Sequence, residues 1–226
     1  MRKTLAVICL MLISLFFVSN GFSLTVSFDT PEYDLIFGTS WDGNPPGNIE
    51  NVLSTMGNSL LGSIYTTVPN LILKRVNQQT WTGLGVKTNL LAEYAGYAPK
   101  NAVGWYDTNS SDYKEIYAGA SFPPEKFDTL FSGPITFGFY LDPNGDSNHR
   151  MFTGGSPSQA VVYEVLGFSN EYIIGFEDLN LSSSDKDYQD FIFRAKVAPV
   201  PEPATLMLLG TGLIGLAGFS RKKFKK

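Results

Sequence analysis

The sequence predicts an all-β fold, mainly antiparallel and of the β-sandwich or jelly-roll-like type, with one short helix. Between residues 24 and 198, glycine and proline punctuate the chain, and the segments between them are rich in β-branched and aromatic residues. This pattern is typical of short strands joined by turns. A mostly apolar segment at each end of the chain stands apart from it. We therefore expect one β-rich body between two terminal segments of a different kind.

The first 23 residues have the organisation of a secretory signal peptide. Two basic residues near the start precede a mostly apolar run over residues 5–18, and small residues follow at Gly21 and Ser23. Signal peptides share this order of basic, apolar and small segments. The apolar run is shorter than the roughly 20 residues that favour a stable membrane span. The sequence therefore predicts a signal peptide over residues 1–23 and export of the remaining chain.

Eight segments of the body are predicted to be strands. Alternation is clearest at Phe137, Phe139 and Leu141, whose intervening neighbours lie on the other face of the strand. The stretch from Ile49 to Leu61 differs, because its apolar residues recur at helical spacing, and it predicts the single helix. The predicted strands are Leu24–Phe28, Ser63–Val68, Leu71–Val76, Ala102–Tyr106, Ile135–Leu141, Gln159–Leu166, Tyr172–Phe176 and Asp190–Val197.

Charge and composition argue against several classes of function. The chain has 226 residues and a net charge of −4, but seven of its 17 basic residues lie at the two ends, so residues 24–200 carry about −10. Such a body repels phosphate backbones, which argues against nucleic-acid binding. Cys9, the only cysteine, lies in the first apolar run. His149, the only histidine, has no accompanying Gly-x-Ser-x-Gly turn, which argues against a serine hydrolase.

The three tryptophans of the chain are each flanked by polar residues and glycine. They are Trp41, Trp81 and Trp105, and the interpretation that the sequence favours is burial in the core. A second interpretation is an exposed aromatic platform on which a sugar ring stacks beside a carboxylate. Trp105 and Tyr106 are the candidate residues for such a platform.

Two stretches of the body concentrate oxygen-bearing side chains. The first, Asp142 to Asn148, lacks the glycine and the bidentate glutamate that an EF-hand needs, and we favour a hairpin turn there over a calcium loop. The second, Glu177 to Asp190, crowds five carboxylates between two apolar strands. It predicts either a calcium site or a solvated loop with Lys186 as a partial counter-ion, and composition leaves both open. The candidate ligands are Glu177, Asp178, Asp185, Asp187 and Asp190.

The C-terminal segment, residues 199–226, has three parts. Pro201, Glu202 and Pro203 come first, an almost wholly apolar or glycine run over about 204–219 follows, and a basic tail occupies residues 221–226. A helix of 16 residues covers roughly 24 Å, slightly less than the hydrocarbon core of a bilayer. With the basic tail on the cytoplasmic side, this transmembrane helix leaves the body outside the membrane.

This tripartite ending closely resembles the PEP-CTERM protein-sorting signal of Gram-negative bacteria that make extracellular polysaccharide. The resemblance implies processing near the Pro-Glu-Pro by an exosortase, an integral membrane enzyme similar to cysteine peptidases, followed by release or surface attachment. Pro201, Glu202 and Pro203 would then be residues that the exosortase recognises, and the sorting helix would cross the inner membrane only transiently.

The acidic stretch carries a second resemblance. Residues Tyr172 to Leu179, together with Ser184 to Phe193, look like the closing motif of the DUF4114 domain, in which Phe-Glu-Asp-Leu precedes Asp-Arg-Asp-Tyr-Asn-Asp. Here Lys186 stands in place of the arginine and Gln189 in place of the asparagine. The resemblance covers about residues 134–197 and implies a β-rich domain of exported bacterial proteins, within a body that spans residues 24–198. It makes the acidic loop a feature of that domain without establishing calcium.

We expect a non-catalytic protein that is exported through the inner membrane and acts as a structural or adhesive module. Its destination would be the cell surface, the outer envelope or a secreted extracellular polysaccharide matrix such as that of a biofilm. The alternative is a calcium-assisted carbohydrate-binding module that uses the five acidic ligands and the aromatic platform. A glycosidase ranks third, because nothing in the sequence selects a pair of catalytic carboxylates. The expected partners are an exosortase and, in the alternative, extracellular polysaccharide.

Overall fold

The computed structural model describes residues 24–29, 48–56, 60–95, 100–119, 126–145, 147–155, 158–202 and 207–216. The all-β prediction is confirmed, since the described chain is mostly strand with few helices. The predicted signal peptide, Trp41, Pro203 and the basic tail lie outside the described residues.

Ten strands form one hydrogen-bonded sheet within the described residues. Two short helices, α1 (Ile49–Met56) and α2 (Leu60–Ile64), follow the first strand, and a third helical segment, α3, occupies residues 207–216. The strands are β1 (Thr25–Phe28), β2 (Asn70–Val76), β3 (Trp81–Glu93), β4 (Ala102–Asp107), β5 (Tyr113–Ala118), β6 (Lys126–Asp142), β7 (Met151–Phe152), β8 (Ala160–Val165), β9 (Glu171–Phe176) and β10 (Phe191–Ala198).

The order of strands across the sheet is β1-β2-β8-β9-β10-β3-β6-β4-β5, with β7 paired to β6. The β1–β2 pair is parallel, and the other pairs among the described strands are antiparallel. Strand β10 therefore lies in the middle of the sheet, hydrogen-bonded to β9 on one side and to β3 on the other. The last strand in the sequence is thus the central strand of the fold.

The sheet curls over on itself. Strand β5 is four strands away from β10, which on a flat sheet corresponds to roughly 19 Å. The ring centroids of Tyr117 on β5 and Phe191 on β10 are nevertheless 5.9 Å apart, and the Tyr117 hydroxyl donates to Thr88 Oγ1 at 2.8 Å. This curling encloses an inner cluster of apolar side chains from β3 to β10, which includes Phe137, Phe139 and Phe193. One sheet thereby produces the two-layer packing that a sandwich requires.

The opposite face of β2, β8 and β9 is covered by α1 and α2. Asn48 caps α1, because its side-chain oxygen accepts from the backbone N–H of Glu50 at 3.0 Å. Glu50 then ties the helix to the sheet through Arg75 Nη2 at 2.6 Å and the hydroxyl of Tyr163 at 2.9 Å. A second apolar cluster, which includes Ile49, is buried between these helices and the sheet.

The predicted elements are largely confirmed, with three corrections. The helix begins at Ile49 as predicted, but it is two short helices, and residues 57–59 between them lie outside the described residues. The predicted strand Ser63–Val68 is wrong, because its first residues end α2 and a turn follows. Strands β3, β5 and β7 and the first part of β6 were not predicted.

The missed segments in β3, β5 and the first part of β6 contain glycine, lysine or proline, which are depleted in strands. Gly133 and Pro134 lie inside β6 at a position where the register between β3 and β6 shifts. A bulge of this kind accommodates a proline that cannot donate to the ladder. The β3–β6 pairing therefore overrides a local sequence signal for a turn.

The C-terminal helix is described over residues 207–216, and its large apolar side chains, such as Leu208 and Ile214, are exposed. The remaining residues of the predicted transmembrane helix, about 204–219, lie outside the described part of the chain. Within the described part, no helix has the combination of length and apolar character that membrane crossing requires.

Gly175 on β9 provides a test of how tightly α1 packs on the sheet. A Cβ at this position would overlap the Ile49 side chain and the backbone oxygen of Tyr188. We expect Gly175→Ala to destabilise the protein by about 1–3 kcal/mol, because the backbone oxygen cannot move aside cheaply. Urea denaturation of the detergent-solubilised full chain measures this change. The control is Gly133→Ala on β6, where an added Cβ meets nothing within 4 Å and stability should hold.

Candidate functional site

The register of three adjacent strands brings acidic residues to one edge of the sheet. Phe191 at the start of β10 pairs with Phe176 at the end of β9 and with Glu93 at the end of β3. Glu177 directly follows β9, and Asp190 directly precedes β10. These carboxylates therefore lie at the same edge, because each occupies an end of one of three neighbouring strands. The loop from 177 to 190 adds the other predicted acidic residues to this edge. We call these strand ends of β3, β9 and β10, together with the loop, the acidic edge.

The first residue of helix α1 holds this loop against the sheet. The backbone N–H of Ile49 donates to the carbonyl of Asp187 at 2.8 Å. Tyr188 is 2% exposed and belongs to the cluster beneath the helices. Lys186 and Tyr188 adopt left-handed backbone conformations, with φ of 58° and 56°. The chain thus bends sharply on either side of Asp187 and buries that residue.

Three of the predicted ligands, Glu177, Asp185 and Asp187, converge. One carboxylate oxygen from each residue lies within 4.8 Å of one carboxylate oxygen from each of the other two. Glu177 is 0% exposed. Its Oε1 accepts from the backbone N–H of Tyr188 at 2.7 Å, whereas its Oε2 is buried without a hydrogen-bond partner. We call Glu177, Asp185 and Asp187 the carboxylate triad.

The electrostatics of the carboxylate triad are unfavourable to full ionisation. Burial, together with the charges of Asp187 and Asp185, raises the pKa of Glu177 to about 7. Two unit charges 4.8 Å apart repel by on the order of 3 kcal/mol at an effective dielectric constant of 20. Lys186 is exposed, and no ion pair among the described residues joins it to the triad. The triad therefore has the charge and the oxygens to attract a cation.

The other two predicted ligands, Asp178 and Asp190, form a second group with Glu93. The backbone N–H of Asp178 donates to Asp190 Oδ2 at 2.8 Å. Burial and the charge of Asp178 raise the pKa of Asp190 to about 9, and the same two causes raise the pKa of Glu93 to about 8. We call Glu93 and Asp190 the protonated group, because these two carboxyls retain protons at neutral pH.

The first oxygen-rich stretch forms the turn that the sequence favours. Residues Pro143–Gly145 form a short 3-10 turn between β6 and β7, and Asn144 has a left-handed φ of 60°. Asp142 is paired with Arg150, whose Nε lies 3.3 Å from Asp142 Oδ2. Asp146 lies outside the described residues. Asp142 therefore has an arginine as its counter-ion.

The predicted platform residues, Trp105 and Tyr106, lie on opposite faces of β4. Trp105 packs edge-on against Phe131 beside the inner cluster, with centroids 4.9 Å apart. Tyr106 packs on the outer face against Tyr113 and Phe152. The two rings therefore do not form one shared surface, since successive residues of a strand point in opposite directions. Sugar stacking on either ring alone stays a prediction, whereas burial of Trp81, at 4% exposed, is confirmed.

A cavity of about 410 Å³ opens beside the acidic edge. It lies between the turn after β6 and the start of the loop after β9. Its lining includes the side chains of His149, Arg150, Gln159, Asp178 and Asn180. Asp178 therefore connects the wall of this cavity to the protonated group.

Sequence reasoning missed two residues of this edge. Glu93 joins through the pairing of β3 with β10, and no local signal relates it to residues 85 or more positions away. Ser184 has a buried hydroxyl that interacts with Glu177 and lowers the pKa of that carboxyl in part. A serine within the acidic stretch was a visible signal, because a hydroxyl oxygen is also a cation ligand.

The protonated group predicts that stability without divalent cations falls as the pH rises from about 5 to about 9. Glu93 and Asp190 hold protons in the folded state that the unfolded chain has already released, so deprotonation favours unfolding. Each group contributes a slope of up to about 1.4 kcal/mol per pH unit. Thermal unfolding across this range, in chelator, measures the effect. Glu93→Gln should flatten the profile, whereas Glu115→Gln, at an exposed site on β5, should not.

Comparisons with protein families place two known segments on this architecture. Residues 199–222 match the family model described as the PEP-CTERM protein-sorting motif. Residues 131–198 match the domain of unknown function DUF4114, which includes the second part of β6 and all of β7 to β10. Searches of curated proteins and of solved structures found no match.

The DUF4114 match contains both strands that border the acidic loop, so the carboxylate triad lies wholly within it. Glu93 lies before the matched residues and completes the same edge from β3. The sorting motif begins directly after β10 ends. The chain is thus an exported protein with a PEP-CTERM motif for sorting by an exosortase, and this motif directly follows a β-sheet whose second part matches DUF4114.

Proposed function

We propose that the β-sheet body is a non-catalytic structural or adhesive module of the cell surface or extracellular polysaccharide matrix. The sorting motif supports export and processing at the membrane. The net charge of about −10 on residues 24–200 argues against nucleic-acid binding. The module would reach its destination after an exosortase acts at the border between the sheet and the C-terminal helix.

The position of β10 is the observation that carries this proposal. β10 is paired with β9 over Phe191 to Lys196 and with β3 over Phe191 to Ala198. The chain then continues through exposed residues 199–202 into the sorting motif. A force on the C-terminal attachment therefore acts along β10, against the hydrogen bonds of two neighbouring strands at once. Such an arrangement suits a module that bears load on a surface.

The burial of Glu177 and Asp187 supports a non-catalytic role. A glycosidase needs two carboxylates that face the scissile bond of a sugar. Glu177 is 0% exposed and Asp187 is 2% exposed, and helix α1 covers the loop that carries them. These side chains are placed to hold the loop, and a polysaccharide chain has no direct access to them.

The sorting proposal is tested by replacing Pro201, Glu202 and Pro203 together with alanine. We expect the unchanged chain to yield a product that ends near Pro201, because Pro201 and Glu202 are exposed to an incoming enzyme. The triple variant should retain Arg221 to Lys226 and stay with the inner membrane. Intact-mass measurement of the protein from the medium and from envelope fractions distinguishes these products.

A host strain without its exosortase is the control for this experiment, and there the unchanged chain should behave as the triple variant does. Equal processing of the triple variant and the unchanged chain would contradict recognition of the Pro-Glu-Pro segment. The β-body is identical in both chains, so its stability should not differ between them.

The cavity beside the acidic edge supports the second candidate, a calcium-assisted carbohydrate-binding module. Its volume of about 410 Å³ lies within the range of small-ligand sites. His149, Arg150 and Asn180 offer hydrogen-bond donors that suit sugar hydroxyls or carboxylates. Calcium would act by fixing the loop that forms one wall of the cavity.

The carbohydrate-binding candidate predicts retention on a polysaccharide array that chelator abolishes. We expect His149→Ala to weaken that retention several-fold, because it removes an exposed donor from the cavity wall. Asn109→Ala, in an exposed turn between β4 and β5, is the control and should bind as the unchanged chain does. If the unchanged chain binds nothing on the array with calcium present, the carbohydrate-binding candidate is wrong. The structural or adhesive role is then the remaining proposal.

A further inference from the structure

We propose that Glu177, Asp185 and Asp187 bind a calcium ion that fixes the loop between β9 and β10 against the sheet. This proposal assigns only the carboxylate triad, and not the whole acidic edge, to metal binding. It stands apart from the adhesive role, because the ion would bind whether or not the module attaches to polysaccharide.

The separation of the ligand oxygens fits one ion. Calcium binds protein oxygens at about 2.3–2.6 Å, so two oxygens on the same ion are at most roughly 5 Å apart. The carboxylate triad satisfies this limit, because one oxygen from each of its three carboxylates lies within 4.8 Å of the other two. The residues come from two parts of the loop, Glu177 from its start and Asp185 and Asp187 from near its end. An ion at this position therefore closes the loop.

The buried oxygen of Glu177 is the independent observation that points to a ligand. Glu177 is 0% exposed, and its Oε2 has no hydrogen-bond partner. A buried carboxylate oxygen without a partner is costly, and a cation removes that cost. The Oγ of Ser184 is also buried and lies beside the Glu177 carboxyl. Glu177 and Ser184 thus offer two oxygens at the triad.

The chemistry of the ligands selects calcium. The triad supplies carboxylate oxygens, and Ser184 adds a hydroxyl, whereas zinc prefers the nitrogen of histidine and the sulfur of cysteine. Calcium accepts six to eight oxygens in irregular geometry and completes its shell with water, whereas magnesium demands a near-octahedral arrangement. Asp185 is half-buried and gives that water a route to the ion.

The other acidic residues of the edge lie outside the triad. The backbone N–H of Asp178 donates to Asp190 Oδ2, and neither of these residues belongs to the three carboxylates whose oxygens converge. The proposed ion therefore needs to neutralise the triad alone. The sequence suggests five ligands, and the proposed site uses three of them. Asp178 and Asp190 are the two that it leaves out.

Calcium titration of the chelator-treated, detergent-solubilised full chain tests the proposal. Isothermal titration calorimetry should show one calcium ion per chain, with a dissociation constant of about 1 mM or tighter. At about a hundredfold excess over that constant, the midpoint of thermal unfolding should rise by about 5 °C or more. Magnesium at the same concentration should give a smaller rise.

Two variants and a matched control complete the test. Glu177→Gln and Asp185→Asn should each lower calcium affinity at least about tenfold, and the half-buried position of Asp185 keeps its variant informative if Glu177→Gln fails to fold. Asp112→Asn removes an exposed charge on a distant turn and should bind as the unchanged chain does. Absence of calcium binding by the unchanged chain, undiminished binding by both variants, or an equal response to magnesium would overturn the assignment.

Discussion

The two-sided pairing of β10 is the constraint from which the rest of the structure follows. Its successive residues, such as Phe191 and Ile192, are buried on opposite faces of the sheet. The loop that enters β10 must therefore lie between the sheet edge and α1, which leaves its carboxylates little water. The strand that leads the chain to the sorting motif is the same strand that forces acidic side chains into a buried environment.

Buried carboxylates at one edge repel one another, and proteins relieve such repulsion by retaining protons or by binding cations. This edge uses protons at Glu93 and Asp190, whose pKa values lie at about 8 and about 9. The proposed calcium ion would provide the second means at the carboxylate triad. The two means respond oppositely to acid, because protonation strengthens the first group and displaces a cation from the triad.

The sorting motif and the acidic edge lie at opposite ends of β10. Strand β10 comprises eight residues from Phe191 to Ala198, which span roughly 24 Å. Events at the membrane border, where Pro201 and Glu202 are exposed, are therefore remote from the triad and from the cavity beside it. This separation allows the body to keep its structure while an exosortase acts on the C-terminal segment.

The sequence by itself determined the C-terminal sorting motif, the all-β class, the helix start at Ile49 and most strands, because each leaves a local pattern in composition or periodicity. The sequence also located the acidic loop. Only the tertiary structure decided that the loop's five carboxylates divide into two groups and that Glu93 joins one of them. The physical reason is that these outcomes depend on strand register and on the curling of the sheet, which bring together residues far apart in the chain.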